Sequence, residues 1–469
     1  MRLHSVFAGS RRACASALRA TVVGTIITVG IACSDPTLPD FNNPSLPDVI
    51  PNAAQLSALA SGLIAGDREQ HAFFILVEET MGRDAYRIDG ADPRYIQQPL
   101  GQFSPGAFLV DFTWNSSYRT IRGAQLLAAG VEPSTAFTAA EKAASQGFAR
   151  TIQALEYIKL IESRDTLGIP ISTGKAGVDP ISCKPAVLVY ISALLDSAAT
   201  NLQAGGTSFP FVLPPGFSGF DTPASFLKFN RALAAKVHIY RGFVNYHAAG
   251  NPVNATELNA ALTALDASFY SANPADFRTG VYHTYSTAAG DLINGNFDRS
   301  VVRANPKVVT EADPGDRRLA KIHEDPSFQK ALPGGSATSD IIFENIGGPT
   351  TPLPIIIDEE LVLMRAEALW GLNRDAEALA LANLVRQNSG GLAPRTAGSF
   401  ATRLDLLREI LKQKRYSLLF ESGDRLVDYR MFGLYAEMGQ ELQPPVPGPQ
   451  VIPFPSAEEN ARNGALACT

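Results

Sequence analysis

The chain has 469 residues, 45% of them hydrophobic and 18% charged, with a formal net charge of −6. Those proportions fit a globular chain able to bury a sizeable core, as one large helical unit or as two or three smaller ones. They exclude a nucleic-acid binder, which needs a concentrated cationic face, and no RNP, zinc-finger or helix-turn-helix pattern argues otherwise.

Residues 1–32 hold Arg2, Arg11, Arg12 and Arg19 and no acid, so without these four arginines the net charge falls from −6 to −10. A 13-residue apolar run, 20–32, is interrupted by no charge. It is too short for a comfortable membrane span and has the layout of a signal sequence. It ends Gly30-Ile31-Ala32-Cys33, small residues before a cysteine, which resembles a bacterial lipobox whose first position is not the usual Leu. The resemblance implies that 1–32 is a lipoprotein signal peptide and Cys33 the lipidated residue. Residues 33–51, with Pro36, Pro39 and Pro44, would then be a tether. Several acyl chains on one cysteine anchor as a single chain cannot. The competing reading is an ordinary secretory signal ending near a cysteine. Cys14 leaves with the signal. Cys183 and Cys468 remain, and their spacing does not say whether they pair; two cysteines alone do not make a metal site.

Residues 40–51 are turn-rich and read as an irregular lead-in. A helical pattern covers 53–82, with Leu56, Leu59, Leu63, Phe73, Leu76 and Val77 at its apolar positions. Residues 84–113 read as a loop that carries Tyr86, Tyr95, Phe103, Phe108 and Phe112. Helices are expected over 114–129, 139–162, 185–202, 226–242 and 255–270. Residues 273–354 break the pattern: Tyr282, Tyr285 and Phe297 lie among Gly, Asn, Ser and Thr, and Val308-Val309 and Ile341-Ile342-Phe343 are candidate short strands. The clearest periodicity follows, over 357–386. Ile357, Leu361, Met364, Ala368 and Leu372 form one stripe, and Ala378, Leu381, Ala382 and Val385 a second. In the turn between them, Gly371 is expected to end one helix and Asp375 to cap the next. Ala366 and Ala378 leave room for close approach. This is the layout of a tetratricopeptide-type hairpin, which cannot bury its apolar face alone. Its expected neighbours are 114–162, 185–242 and 404–420. The end, 429–469, reads as Pro-rich and irregular.

Candidate chemistry is sparse. His4, His71, His238, His247, His283 and His323 form no HExxH or tight ligand pair, so no metal and no cofactor are expected. Asp84, Asp89, Gly90 and Asp92 lack the oxygen order of a calcium-binding EF-hand loop. Glu78-Glu79 and Asp358-Glu359-Glu360 are adjacent carboxylates, which do not face one another on a helix; a solvated helix face is expected for both rather than a glycosidase pair. There is no GxSxG elbow, Walker A or GxGxxG pattern, and no enzyme is expected.

Several segments, by their order, resemble the SusD/RagB family of outer-membrane nutrient-uptake lipoproteins. They are the lipobox at Cys33, the helix 114–127, the segment ending Leu167-Gly168-Ile169-Pro170-Ile171, and a late helix holding Lys414, Arg415 and Glu421. Gly423, Arg425, Asp428 and, one position early, Arg430 follow, and a terminal Ile452-Pro453-Phe454-Pro455 closes the series. The resemblance implies a mainly α fold. Tetratricopeptide-like hairpins would form a compact scaffold over 52–469, with long ligand loops, about 273–354 above all, and a few short β-strands. It also implies a glycan-binding lipoprotein, lipid-anchored in the outer membrane and facing outward, that partners a SusC-type TonB-dependent transporter in nutrient uptake. An envelope scaffold for protein interactions is the alternative. A sugar site needs flat apolar faces and a few amide or carboxylate partners. Tyr86, Tyr95, Tyr282, Tyr285, Asn294, Asn296 and Phe297 are the candidates for it. Any one of them alone is better read as packing on the scaffold, as are Trp114 and Trp370; it is the group that is expected to include a ligand contact.

Overall fold

The helical periodicity becomes ten helices of two turns or more among the described residues. These are α1 (Ala53–Met81), α2 (Phe108–Val131), α3 (Ala139–Arg164), α4 (Lys184–Gln203), α5 (Pro223–Phe243), α6 (Ala255–Asp266), α7 (Asp358–Gly371), α8 (Asp375–Asn388), α9 (Arg403–Ser417) and α10 (Asp424–Met431). The computed structural model describes residues 52–88, 103–175, 177–246, 251–297, 301–331, 335, 337–422, 424–438 and 451–469. Residues 50–469 form one unit, apart from 1–49. Cys33 and Tyr95 fall outside the described residues.

Local chemistry starts these helices. Reciprocal capping boxes close the N-termini of α1 (Asn52, Gln55), α3 (Thr138, Glu141), α5 (Thr222, Ser225) and α9 (Thr402, Asp405), so orphan backbone donors are satisfied before tertiary packing begins. Each helix from α1 to α9 packs on its successor, giving four consecutive pairs, α1–α2, α3–α4, α5–α6 and α7–α8. One continuous core runs through them and buries Trp114 and Trp370. The short α10 returns to α1. There, the Arg425 guanidinium donates to the Gly82 carbonyl (2.8 Å) and to Asp84 (2.8 Å).

The α7–α8 hairpin has the expected stripe, with Leu361, Met364, Ala366, Ala368, Ala378 and Ala382 buried. Its turn differs from expectation. Asn373, not Gly371, takes the left-handed conformation (φ 60°), and Asp375 is the first helical residue, after Arg374 at the cap. Gly371 serves packing instead: a Cβ there would lie 2.7 Å from the Phe243 ring. That contact shows what covers the hairpin, since α5 and α6 abut α7.

Three other segments depart from the sequence reading. Helix α2 starts at Phe108, because Leu109 and Val110 already face the core; Phe108 and Phe112 thus stand on a helix, their rings 6.0 and 5.1 Å from that of Phe73. Val308-Val309 lie in a single helical turn, Lys307–Thr310. Pro306 precedes that turn and the Asn305 side chain accepts the Lys307 N–H (2.9 Å), so turn chemistry overrides β-branching. Tyr429 belongs to α10.

Among the described residues, ten short strands pair antiparallel, two by two. β1 (Ala85–Arg87) pairs β5 (Val302–Ala304), which brings the two aromatic loop regions together. β2 (Ile169–Pro170) pairs β3 (Ile181–Ser182), and β4 (Gly280–His283) pairs β10 (Leu353–Ile357). β6 (Ile322–Glu324) pairs β9 (Ile341–Phe343), the second of the expected strands, and β7 (Lys330–Ala331) pairs β8 (Thr338–Ser339). At the C-terminus, the Thr469 N–H donates to the Ile181 carbonyl (2.9 Å), and Cys468 forms a disulfide with Cys183. The Phe454 ring sits edge-on to Trp114 at 5.4 Å.

Candidate functional site

Strand β4 of the β4–β10 ribbon, with the residues flanking it and Pro352, forms the floor of an open groove of about 460 Å³. Its lining is Pro215, Gly216, Ser218, Phe220, Arg278, Thr279, Gly280, Tyr282, Thr284 and Pro352. One wall comes from the α4–α5 connection, a stretch rich in Phe, Pro and Gly. Phe217 anchors it by packing on Phe226 and Phe229 at 6.2 and 6.1 Å, and Phe220 packs edge-on to Phe269 at 5.0 Å. Gly216 lets this wall close on the floor: a Cβ there would lie 2.8 Å from the Tyr282 carbonyl carbon.

Tyr282 is half-buried, and its hydroxyl donates to the Arg278 carbonyl (2.6 Å). That bond fixes the ring at the groove. The Arg278 guanidinium, with 52% of its side chain exposed, holds Glu421 at 2.8 Å. Thr279 and Ser218 are exposed. The Thr284 carbonyl accepts from Arg68 of α1 (3.2 Å), which fastens the strand end to the frame. Beneath the floor, His283 pairs with Asp67 at 2.7 Å and His71 lies against the Pro354 carbonyl at 2.8 Å. Burial, ahead of the nearby Lys159, pushes the His71 imidazole well below its ordinary value. Chemically, the groove offers two aromatic rings, two prolines, four hydroxyls and one guanidinium. No carboxylate or histidine lines it. This suits stacking and hydrogen bonding to a polyhydroxylated molecule.

Of the sequence candidates, the groove takes in Tyr282. Tyr86 is fully buried on β1, in register with Arg303. Tyr285 is buried in a small core with Val301, Val302 and Leu353. The Asn294 amide donates to the Thr351 carbonyl (3.0 Å) and the Asn296 amide to the Ala72 carbonyl (2.7 Å), both within the interior. Phe297 ends a single 3-10 turn. The lining from 215–220, Arg278, Thr279, Thr284 and Pro352 was not among the candidates. A signal for part of it existed in the run 209–220, whose aromatics and prolines are too dense for a plain helix connection.

The adjacent carboxylates are a correction. Glu78, Glu79, Asp358, Glu359 and Glu360 do not lie on solvated faces, since each is at most 4% exposed. They point into the frame, where charges meet charges. The Lys236 ammonium contacts Glu360 and Asp424 at 3.0 Å each and Glu162 at 3.6 Å. The Lys414 ammonium contacts Asp428 at 2.9 Å, Glu367 at 3.0 Å and Asp424 at 3.5 Å. Two ammoniums thus serve five carboxylates, and burial pushes Glu360 up to about 7 against the pull of Lys236. The Glu78 carboxyl has no hydrogen-bond partner among the described residues, and burial pushes it up to about 8. The late motif enters this network. Asp428 holds Lys414, Arg430 donates to the Glu162 carbonyl, and Arg425 and Arg415 hold Asp84 at 2.8 and 2.7 Å. These residues brace the frame and do not face the groove. Among the described residues, no group of three His, Cys, Asp or Glu is arranged to hold a metal.

No protein-family model and no curated protein matches the sequence. Solved structures do. A SusD superfamily protein from Bacteroides vulgatus is similar with a TM-score of 0.65 and 12% identity, over 89% of this chain and 98% of that one. A SusD-like carbohydrate binding protein from Bacteroides fragilis gives 0.62 and 15% identity, over 87% and 98%. A structure solved with xylogluco-oligosaccharide gives 0.60 and 15% identity, over 80% and 83%. At these identities the likeness establishes the fold: the chain has the SusD-like helical fold.

Proposed function

We propose that this chain is a non-catalytic, cell-surface lipoprotein that binds an oligosaccharide in the groove over β4–β10. In this reading Tyr282 stacks on a sugar face, while Arg278, Thr279 and Thr284 meet its hydroxyls. Cys33 carries the lipid that holds the protein on the outer membrane, facing outward, and the bound glycan passes to a SusC-type TonB-dependent transporter. The observation that carries the reading is the groove itself, an aromatic and hydroxyl-lined surface on a fold shared with carbohydrate-binding proteins. The Cys183–Cys468 disulfide supports export, because such bonds persist in oxidising compartments.

Titration of the purified chain with a panel of oligosaccharides tests the binding. Saturable binding that Tyr282→Ala weakens is the expected result, and no binding to any member would turn the reading towards an envelope scaffold. For the anchor, Cys33→Ala should release the protein from membranes; retention on them would remove the lipid from the account.

A further inference from the structure

The groove's charges carry a second conclusion, which rests on the glycan reading above. Arg278 is the one charged side chain in the lining. Its charge is met from within, because Glu421 sits behind it at 2.8 Å and is 6% exposed. The same carboxylate also holds Lys321 at 3.4 Å, and Lys321 is fastened further by donating to the Ser417 carbonyl (2.5 Å). On the side of α7 stand two more buried carboxyls, Asp358, which accepts the Ser271 N–H (2.6 Å), and Glu359, which accepts the Ser389 hydroxyl (2.5 Å). Two cations therefore face a carboxylate they share, with further carboxyl groups close behind. Burial by itself would raise the Glu421 carboxyl, yet Lys321 and Arg278 hold it below its ordinary value. Glu421 in turn keeps the Arg278 guanidinium above its ordinary value despite desolvation. The position that a ligand carboxylate would seek, beside a guanidinium, is filled from within.

We propose that Glu421 is the specificity-determining residue of the groove: a built-in counter-ion that leaves Arg278 to the hydroxyls of an uncharged oligosaccharide and turns away uronates and other acidic sugars. Juxtaposed like charges suppress wrong partners, a device that specific sites use beside added attraction.

The test compares a neutral xylogluco-oligosaccharide and cello-oligosaccharide with an oligogalacturonide, by calorimetric titration of the full chain in detergent. The neutral ligands should bind the native protein at least about tenfold more tightly than the acidic one. Glu421→Gln should raise the acidic affinity by about tenfold or more and change the neutral affinity little. Circular dichroism and a thermal melt check that the variant is folded. Should it not fold, Arg278→Gln and added salt decide. Arg278→Gln should weaken neutral binding a few-fold, and the native protein's affinity for the acidic ligand should rise with ionic strength as the repulsion is screened; a fall with salt overturns the inference. Acidic binding by the native protein at or above the neutral level overturns the inference and leaves the glycan groove standing. So does a folded Glu421→Gln that gains no acidic affinity. Failure of every ligand to bind any of the three proteins overturns the groove reading and this inference with it.

Discussion

The interior of the helical frame and the groove on its surface use charge in opposite ways. Inside, Lys236 and Lys414 sit among Glu162, Glu360, Glu367, Asp424 and Asp428, nearly out of contact with water. In the groove, one guanidinium is present and is already matched from behind. The frame can hold this cluster because α3, α5, α7, α9 and α10 contribute one or two of its charges each, and their attraction offsets desolvation only when all the partners are in place. The groove stays adaptable because its contacts are rings, prolines and hydroxyls. The charged motifs that stand out in the sequence thus mostly mark the frame, with Glu421 touching the groove from behind through Arg278.

The comparison breaks most sharply at Lys414. Lys414→Met leaves Glu367 and Asp428 without their cation and Asp424 with Lys236 alone, and should cost about 3–5 kcal/mol of stability, the usual result of removing one partner from a buried charge pair. Denaturant unfolding reads this directly, and a cost below about 1 kcal/mol would mean that water reaches the cluster. The Cys183–Cys468 bridge comes next. It ties positions 285 apart in sequence, and the Cys468→Ser variant should lose roughly 2–4 kcal/mol. A loss confined to the terminal segment would appear as an unchanged global midpoint with early exchange of the β2–β3 amides.

Glu78 sharpens the contrast through pH. Its folded value of about 8 lies above its ordinary 4.5, chiefly through burial. The folded state therefore binds its proton more tightly than the unfolded chain does. That contribution is full below about 4.5 and is lost as the pH rises towards 8. Glu78→Gln keeps the neutral shape, so the gap between variant and native stability should move in favour of the variant by about 1 kcal/mol or more between pH 5 and 8. Melting curves at the two pH values decide it, and a constant gap would show that Glu78 is ionised in the fold.

Much of the frame was legible in the sequence because long helices declare themselves by period and caps. The stripes at Leu361, Met364 and Ala368, or at Phe148, Ile152 and Leu155, repeat over several turns. The site was much less so. Tyr86, Tyr285, Asn294 and Asn296 share composition and loop context with Tyr282, and what separates them is burial, which depends on strands of two to five residues pairing across the chain. Such strands are too short to show alternation. The adjacent carboxylates misled for a related reason. A Glu-Glu or Asp-Glu-Glu run reads as a wet face, and only packing against distant helices, such as the one that brings Lys236 to Glu360, reveals that it is dry.

Tyr282 carries the smallest expected effect on stability and the most informative one on function. Its ring is half-exposed and makes one hydrogen bond through its hydroxyl, to the Arg278 carbonyl. Tyr282→Ala should therefore lower stability by only about 1 kcal/mol, the scale of one lost hydrogen bond and a partly exposed ring. If the ring is a sugar platform, the same change should weaken oligosaccharide binding by roughly 0.5–1.5 kcal/mol, up to about tenfold. Tyr282→Phe separates the two functions of the side chain. It keeps the stacking face and removes the bond that orients it, so it should retain most of the affinity. Equal losses in the Ala and Phe variants would place the contribution of Tyr282 in positioning Arg278 and not in contact with the ligand.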